Sequence, residues 1–213
     1  MNNKKTFNLV ITALFAAIII LMAFVPYLGY LNLMIIKATL IHVPVIIGSI
    51  ILGPKKGAFL GFIFGLTSLI NNTFNPSLLS FAFSPFYNGG NLISLVICFV
   101  PRILVGVVPY FVYTGVNTLL KNMHGRNFIS LPLAAVSGAL TNTLLVMPMI
   151  YLFFREQFAA AKHISIDAVA GTVMTIIAAN GIPEAIVAVV IVTAVATALI
   201  KLGYQRVGGG VKL

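Results

Sequence analysis

One arginine stands inside an apolar run, in "CFVPRILVGVV" (Cys98 to Val108). The guanidinium of Arg102 is always charged, and its planar fork of donors matches a carboxylate at two points. An ionisable side chain costs at least ~2.5–3.5 kcal/mol at a bilayer centre, so it marks a functional site by default. The chain carries three acids, Glu156, Asp167 and Glu184. Glu184 is the plausible internal partner, placed in the outer turn of the sixth helix. Arg102 therefore has two readings on these grounds: it holds an anion from outside the chain, or it pairs with Glu184.

Asn142, in "ALTNTLLVMP", and Asn180, in "NGIPE", are the other polar side chains of interest. An asparagine donates and accepts through one side chain, which suits an amide or hydroxyl of a small molecule. Each also has a structural reading as an interhelical hydrogen bond, typically ~0.6 kcal/mol in membrane proteins. Asn180 has a second one, as the cap of a helix starting near Pro183. Asn180 and Glu184 are four apart and share a helical face. His42, ahead of Pro44, reads as structural. Cys98 reads as packing, and one cysteine supports neither a disulfide framework nor a metal cluster. The chain has no nucleophile beside a base, no close pair of acids and no phosphate-binding glycine loop. No catalytic residue, metal or cofactor is expected, and no means of using ATP. The several intramembrane acids of a proton-coupled carrier are missing too.

The elements that position these residues follow from composition. Hydrophobic residues make up 60% of the chain and charged residues 8%, against roughly a quarter charged in soluble domains. The expected fold class is an all-α integral membrane protein, one transmembrane domain over residues 1–213. Six transmembrane helices are expected, at about 7–25, 40–52, 58–70, 92–120, 128–154 and 168–200. The first ends at Pro26. It resembles a signal peptide but is read as an uncleaved span, because more spans follow. The second and third are short for a crossing at about 1.5 Å per residue, and flanking residues are expected to extend them. The fourth and sixth are too long, and prolines interrupt them. Proline favours the first turn of a helix. The main helices are therefore expected to start near Pro101 and Pro183, with the preceding residues capping the membrane face.

Basic residues sort by side. Lys4, Lys5, Lys55, Lys56, Lys121, Arg126, Lys201, Arg206 and Lys212 fall on one face with no acid, whereas Lys37, Arg155 and Lys162 share the other with Glu156 and Asp167. Positive charge marks the cytoplasmic side, so both termini are expected to be cytoplasmic, in keeping with an even span count. The net charge of +10 is spread singly or in pairs, which argues against nucleic acid as a partner. The segments assigned outside, 26–39 and 71–90, are apolar and aromatic rather than solvated. They read as extracellular loops capping a binding site, or as re-entrant segments without a ligand role. Small residues recur at four-residue spacing, which lets helices approach closely. Gly57, Gly61 and Gly65 read as internal packing. Ala13 and Ala17 read as internal packing or a subunit contact, and Ala194 and Ala198 repeat the spacing in the sixth span.

The six short helices, inside termini and the Ala13/Ala17 pair resemble the S component of an energy-coupling factor (ECF) transporter. The resemblance is sharpest in "IHVPVIIGSIILGPKKGAFLGFIFGLTSLINNTFNP", "SPF" and "CFVPRILVG", and points most to the pantothenate-specific branch. It implies a vitamin-binding subunit that works with a transmembrane coupling protein and two ATPase subunits. It also implies that Ala13 and Ala17, with Ala16 on the same strip, face the coupling protein, and that the site lies near the outer face. Pantothenate has one carboxylate, two hydroxyls, an amide and a branched apolar end. The residues themselves suggest Arg102 for the carboxylate, Asn142 and Asn180 for the amide or hydroxyls, and Phe74, Phe81 and Phe83 for a lid. Glu184 is included as a ligand contact or as the partner of Arg102. Another vitamin or small nutrient on the same scaffold, or a scaffold or enzyme in which Arg102 pairs only with Glu184, remain the alternatives.

Overall fold

The computed structural model describes residues 2–25, 28–33 and 36–204. Pro26, Arg206 and Lys212, used above for the first boundary and for orientation, lie outside them. The helices are α1 (Asn2–Phe24), α2 (His42–Leu52), α3 (Pro54–Phe74), α4 (Leu92–Val105), α5 (Val108–Leu119), α6 (Asn127–Phe153), α7 (Arg155–Lys162) and α8 (Val169–Lys201). Five segments are long and apolar enough to cross a membrane: Lys5–Phe24, Pro54–Phe74, Leu92–Leu119, Asn127–Phe153 and Ile166–Lys201. Large apolar side chains, among them Leu9, Phe59, Phe111, Leu144, Met174 and Val190, are exposed around the bundle. Water would not tolerate that belt, whereas lipid tails favour it.

α2 is the exception in length. Its 11 residues rise about 16 Å, roughly half of a ~30 Å hydrocarbon core. Every residue of α2 is buried, so it lies inside the bundle with protein on all sides. Gly53, with φ +91°, makes the turn into α3. That conformation is open to glycine and costly for other residues.

Two expectations about proline are corrected. α4 starts at Leu92, not near Pro101, and Pro101 lies inside it. A capping box sets the start: the Asn91 side chain accepts from Ile93 N at 2.8 Å, and Asn91 N donates to Ser94 Oγ at 3.1 Å. The break in the fourth segment falls at Gly106 and Val107, which puts Pro109 in the first turn of α5. α8 likewise runs unbroken through Pro183, so Asn180 is mid-helix and caps nothing, and Glu184 is mid-helix rather than in an outer first turn. The expectation applied a rule for helices in water. In a low-dielectric bundle, breaking a helix exposes more unpaired backbone than one proline does, so the helix continues. α3 also extends the third span at both ends. The first outer segment, read as an apolar loop or re-entrant segment within an all-α fold, carries regular structure of its own. It forms an antiparallel hairpin, β1 (Tyr30–Leu33) with β2 (Ile36–Thr39), in register Tyr30 to Thr39.

The glycine stripe packs internally. A Cβ on Gly57 would collide with the Gly106 carbonyl oxygen, and one on Gly61 with that of Arg102. α3 and α4 therefore run backbone to backbone. Two apolar clusters stack along the bundle. One takes α1, α2, the Leu131–Ala139 part of α6 and the Ala188–Ala196 part of α8. The other takes Phe81, Ile97, the Val146–Ile150 part of α6, Phe154, Phe158 and the start of α8.

Candidate functional site

Between those clusters α6 and α8 carry polar side chains, and a cavity of about 240 Å³ opens there. α3 lines it with Phe64, Ser68 and Asn72, spaced by four and so stacked on one face. α4 contributes Arg102. α6 gives Asn142, Thr143, Val146 and Met147, and α8 gives Ile176, Asn180 and Glu184. Thr39 at the end of β2 and Ser77 and Phe83 from the 75–91 loop complete it.

Pro101 explains how Arg102 is held. A proline has no N–H, so it leaves the carbonyl four residues earlier without its helical donor. That carbonyl belongs to Ile97, and Arg102 Nη1 donates to it at 2.9 Å. The guanidinium lies 4.6 Å from the ring centre of Phe83 and 5.6 Å from that of Phe64. Both aromatic faces favour a cation, more so when water is excluded. Arg102 is 6% exposed, so its charge is kept from bulk water within the cavity wall.

Glu184, also 6% exposed, is held from two elements. Its Oε1 accepts from the backbone N–H of Thr39 at 2.8 Å, and its Oε2 accepts from Thr143 Oγ1 at 3.3 Å. No salt bridge joins it to Arg102; among the described residues the salt bridge present is Arg155 to Asp167 at 4.0 Å, on the exposed surface. The cavity therefore presents a cation and a carboxylate as separate features. Asn142 Oδ1 is buried and has no hydrogen-bond partner, an acceptor that costs about 1–3 kcal/mol while unsatisfied. Asn180 is half-buried in the middle of α8.

The loop over this cavity is pinned. Ser80 Oγ donates to Asn72 Oδ1 at 2.7 Å and accepts from Ser77 N at 2.8 Å. The Thr73 and Ser84 hydroxyls meet at 2.7 Å, and Ser94 Oγ donates to the Phe81 carbonyl at 2.6 Å. Of the three phenylalanines expected at the lid, Phe83 lines the cavity. Phe81 is buried below it, with its ring centre 5.6 Å from that of Phe154, and Phe74 is 78% exposed at the end of α3.

The structure thus brings together Arg102, Asn142, Asn180, Glu184 and Phe83. Sequence reasoning did not single out Thr39, Phe64, Ser68, Asn72, Ser77 or Thr143. The four-residue spacing of Ser68 and Asn72 was a usable signal for a polar strip on a span. Thr39 and Ser77 carried none, since loop closure alone brings them in. His42 is buried in α2. Cys98 Sγ donates to the Gly65 carbonyl at 3.3 Å inside the α3–α4 contact. No group of three metal-ligating side chains forms among the described residues. Ala13 and Ala17 are exposed on α1, while Ala16 is half-buried against the core. α1 turns Phe15, Ile19 and Ala23 inward and leaves the Ala13/Ala17 face bare.

A family model described as "ECF transporter, substrate-specific component" matches residues 7–196. The chain is similar to the pantothenic acid transporter PanT of Lactococcus lactis subsp. cremoris, 40% identical over 207 residues, covering 94% of this chain and 97% of that one. It is also similar to the pantothenate transporter PanT of Leuconostoc mesenteroides subsp. mesenteroides, 33% identical over 216 residues and 98% of each chain.

Proposed function

Because this chain belongs to the family of ECF transporter substrate-specific components, we propose that it captures pantothenate from outside the cell for uptake. A multi-pass membrane protein of this family binds a small-molecule substrate and works with a partner module. Here that module is read as a transmembrane coupling protein with two ATPase subunits, which hydrolyse ATP while this chain does not. The pantothenate reading draws on the two relatives named for that vitamin. The observation that carries it is the cavity itself, with Arg102 in one wall and Asn142, Asn180 and Glu184 in others.

The ligand's parts suit those walls. Arg102 takes the carboxylate with its two-pronged donor face. Asn142 and Asn180 take the amide and hydroxyls, and the ligand supplies the donor that Asn142 Oδ1 needs. Val146, Met147 and Ile176 receive the branched apolar end, and Phe83 covers the site with Phe81 anchoring its loop. The bundle crosses the membrane six times, α2 being the short crossing completed by its neighbours. Both termini are cytoplasmic, which the sorting of lysine and arginine supports. The Ala13/Ala17 face of α1 meets the coupling protein.

Purifying the chain in detergent, releasing its bound small molecule and determining the mass tests the assignment. Pantothenate is expected. A different vitamin would remove the pantothenate claim and leave the transport role standing.

A further inference from the structure

We infer that Glu184 is the specificity-determining residue of this cavity: its carboxylate demands a hydrogen-bond donor on the ligand, away from the end that Arg102 holds, and rejects a second anionic group. The inference rests on the pantothenate reading and concerns which part of the ligand Glu184 reads.

A carboxylate offers about four acceptor positions. The Thr39 N–H and the Thr143 hydroxyl occupy two of them, one on each oxygen. Arg102 is not in salt-bridge contact with it. Glu184 lines the cavity at 6% exposure, so bulk water has little access to the remaining positions. A hydroxyl delivered by the ligand fits them. Glu184 is also held still, because Thr39 belongs to the hairpin and Thr143 to α6. A fixed acceptor loses little entropy when it binds. Asn142, next to Thr143, adds an unsatisfied acceptor oxygen. The α6–α8 side of the cavity is therefore rich in acceptors, and the Arg102 side is cationic. A molecule with one carboxylate and separate hydroxyl donors matches this polarity. A plain carboxylic acid leaves the acceptors unpaired, and a dicarboxylate places like charges together in a poorly solvated space.

The test is calorimetric titration of the purified chain with two ligands. One is pantothenate. The other is N-(3,3-dimethylbutanoyl)-β-alanine, which keeps the carboxylate, the amide and the branched end and lacks both hydroxyls. The wild-type chain is expected to bind the analogue about 100-fold more weakly, since hydrogen bonds to a charged group are being lost. Glu184→Gln keeps an acceptor for Thr39 and should weaken pantothenate while leaving the analogue nearly unchanged, bringing the ratio below about tenfold. Glu184→Asp keeps the charge but draws the carboxylate back by one methylene from the ligand hydroxyl, and should narrow the ratio in the same direction, which covers the case in which Glu184→Gln does not fold. Equal affinities in the wild type, or an unchanged ratio in the variants, would overturn the role of Glu184. Binding of neither ligand would instead overturn the pantothenate assignment beneath it.

Discussion

Pro101 and Arg102 work as one unit. The missing N–H of Pro101 frees the Ile97 carbonyl, and Arg102 Nη1 occupies it at 2.9 Å. That bond offsets part of the cost of burying a guanidinium and fixes where the remaining donors point. Removing the charge should be the more severe change. Arg102→Ala is expected to lower pantothenate affinity by at least about 100-fold, the equivalent of a lost charge-assisted contact. Pro101→Ala restores a backbone N–H that competes for Ile97. Its expected effect is smaller, several-fold in affinity, with helicity by circular dichroism and thermal stability unchanged or raised. Full affinity in Arg102→Ala would show that the carboxylate is held elsewhere. A Pro101→Ala chain that loses stability along with affinity would contradict the positioning role.

At the scale of elements, two small-residue stripes with the same spacing have different surroundings. Gly61 faces α4 so closely that a Cβ would strike the Arg102 carbonyl. Ala13 and Ala17 face outward from α1. Bulk should therefore separate the two. Ala13→Leu with Ala17→Leu is expected to abolish uptake by cells while leaving pantothenate binding by the purified chain intact. Gly61→Leu should lose binding and fold together, because overpacking typically costs 1–3 kcal/mol and here it pushes directly on the helix that carries Arg102. Normal uptake by the alanine double variant would rule out that face as the partner surface. The hairpin is the other element with a role beyond packing. It delivers Thr39 N to Glu184, so the first loop and α8 are tied across the cavity.

At the scale of the molecule, the cavity exists because two apolar clusters take the two ends of the bundle and leave a polar level between them. Along α6 the order is Leu131–Ala139, then Asn142 and Thr143, then Val146–Ile150. α8 repeats it in reverse, with Asn180 and Glu184 between Val173 and Ala188. Orientation in the membrane is testable on the whole chain. In a Cys98→Ser background, Asp167→Cys should react with a membrane-impermeant maleimide on intact cells. Lys121→Cys should react only after permeabilisation. Both positions are exposed. The reverse pattern would invert the termini.

That this is a helical membrane protein, and where its long spans lie, could be read from the residues alone, because a bilayer demands length and apolarity that composition reports directly. Composition also determined the chemistry available, since a chain with so few ionisable groups makes Arg102 and Glu184 conspicuous wherever they sit. Asn142 and Asn180 were legible for the same reason. Adjacency came from the packed fold. Whether Arg102 meets Glu184 depends on how α4 and α8 are set around α6, and spacing along one helix cannot report that. Thr39, Ser77 and the burial of α2 follow from loop closure and bundle packing, which are long-range. The prolines were misread because their effect depends on surroundings: in water Pro101 and Pro183 would end helices, whereas inside this bundle the helices run on, and at Pro101 the freed carbonyl became the seat for the arginine.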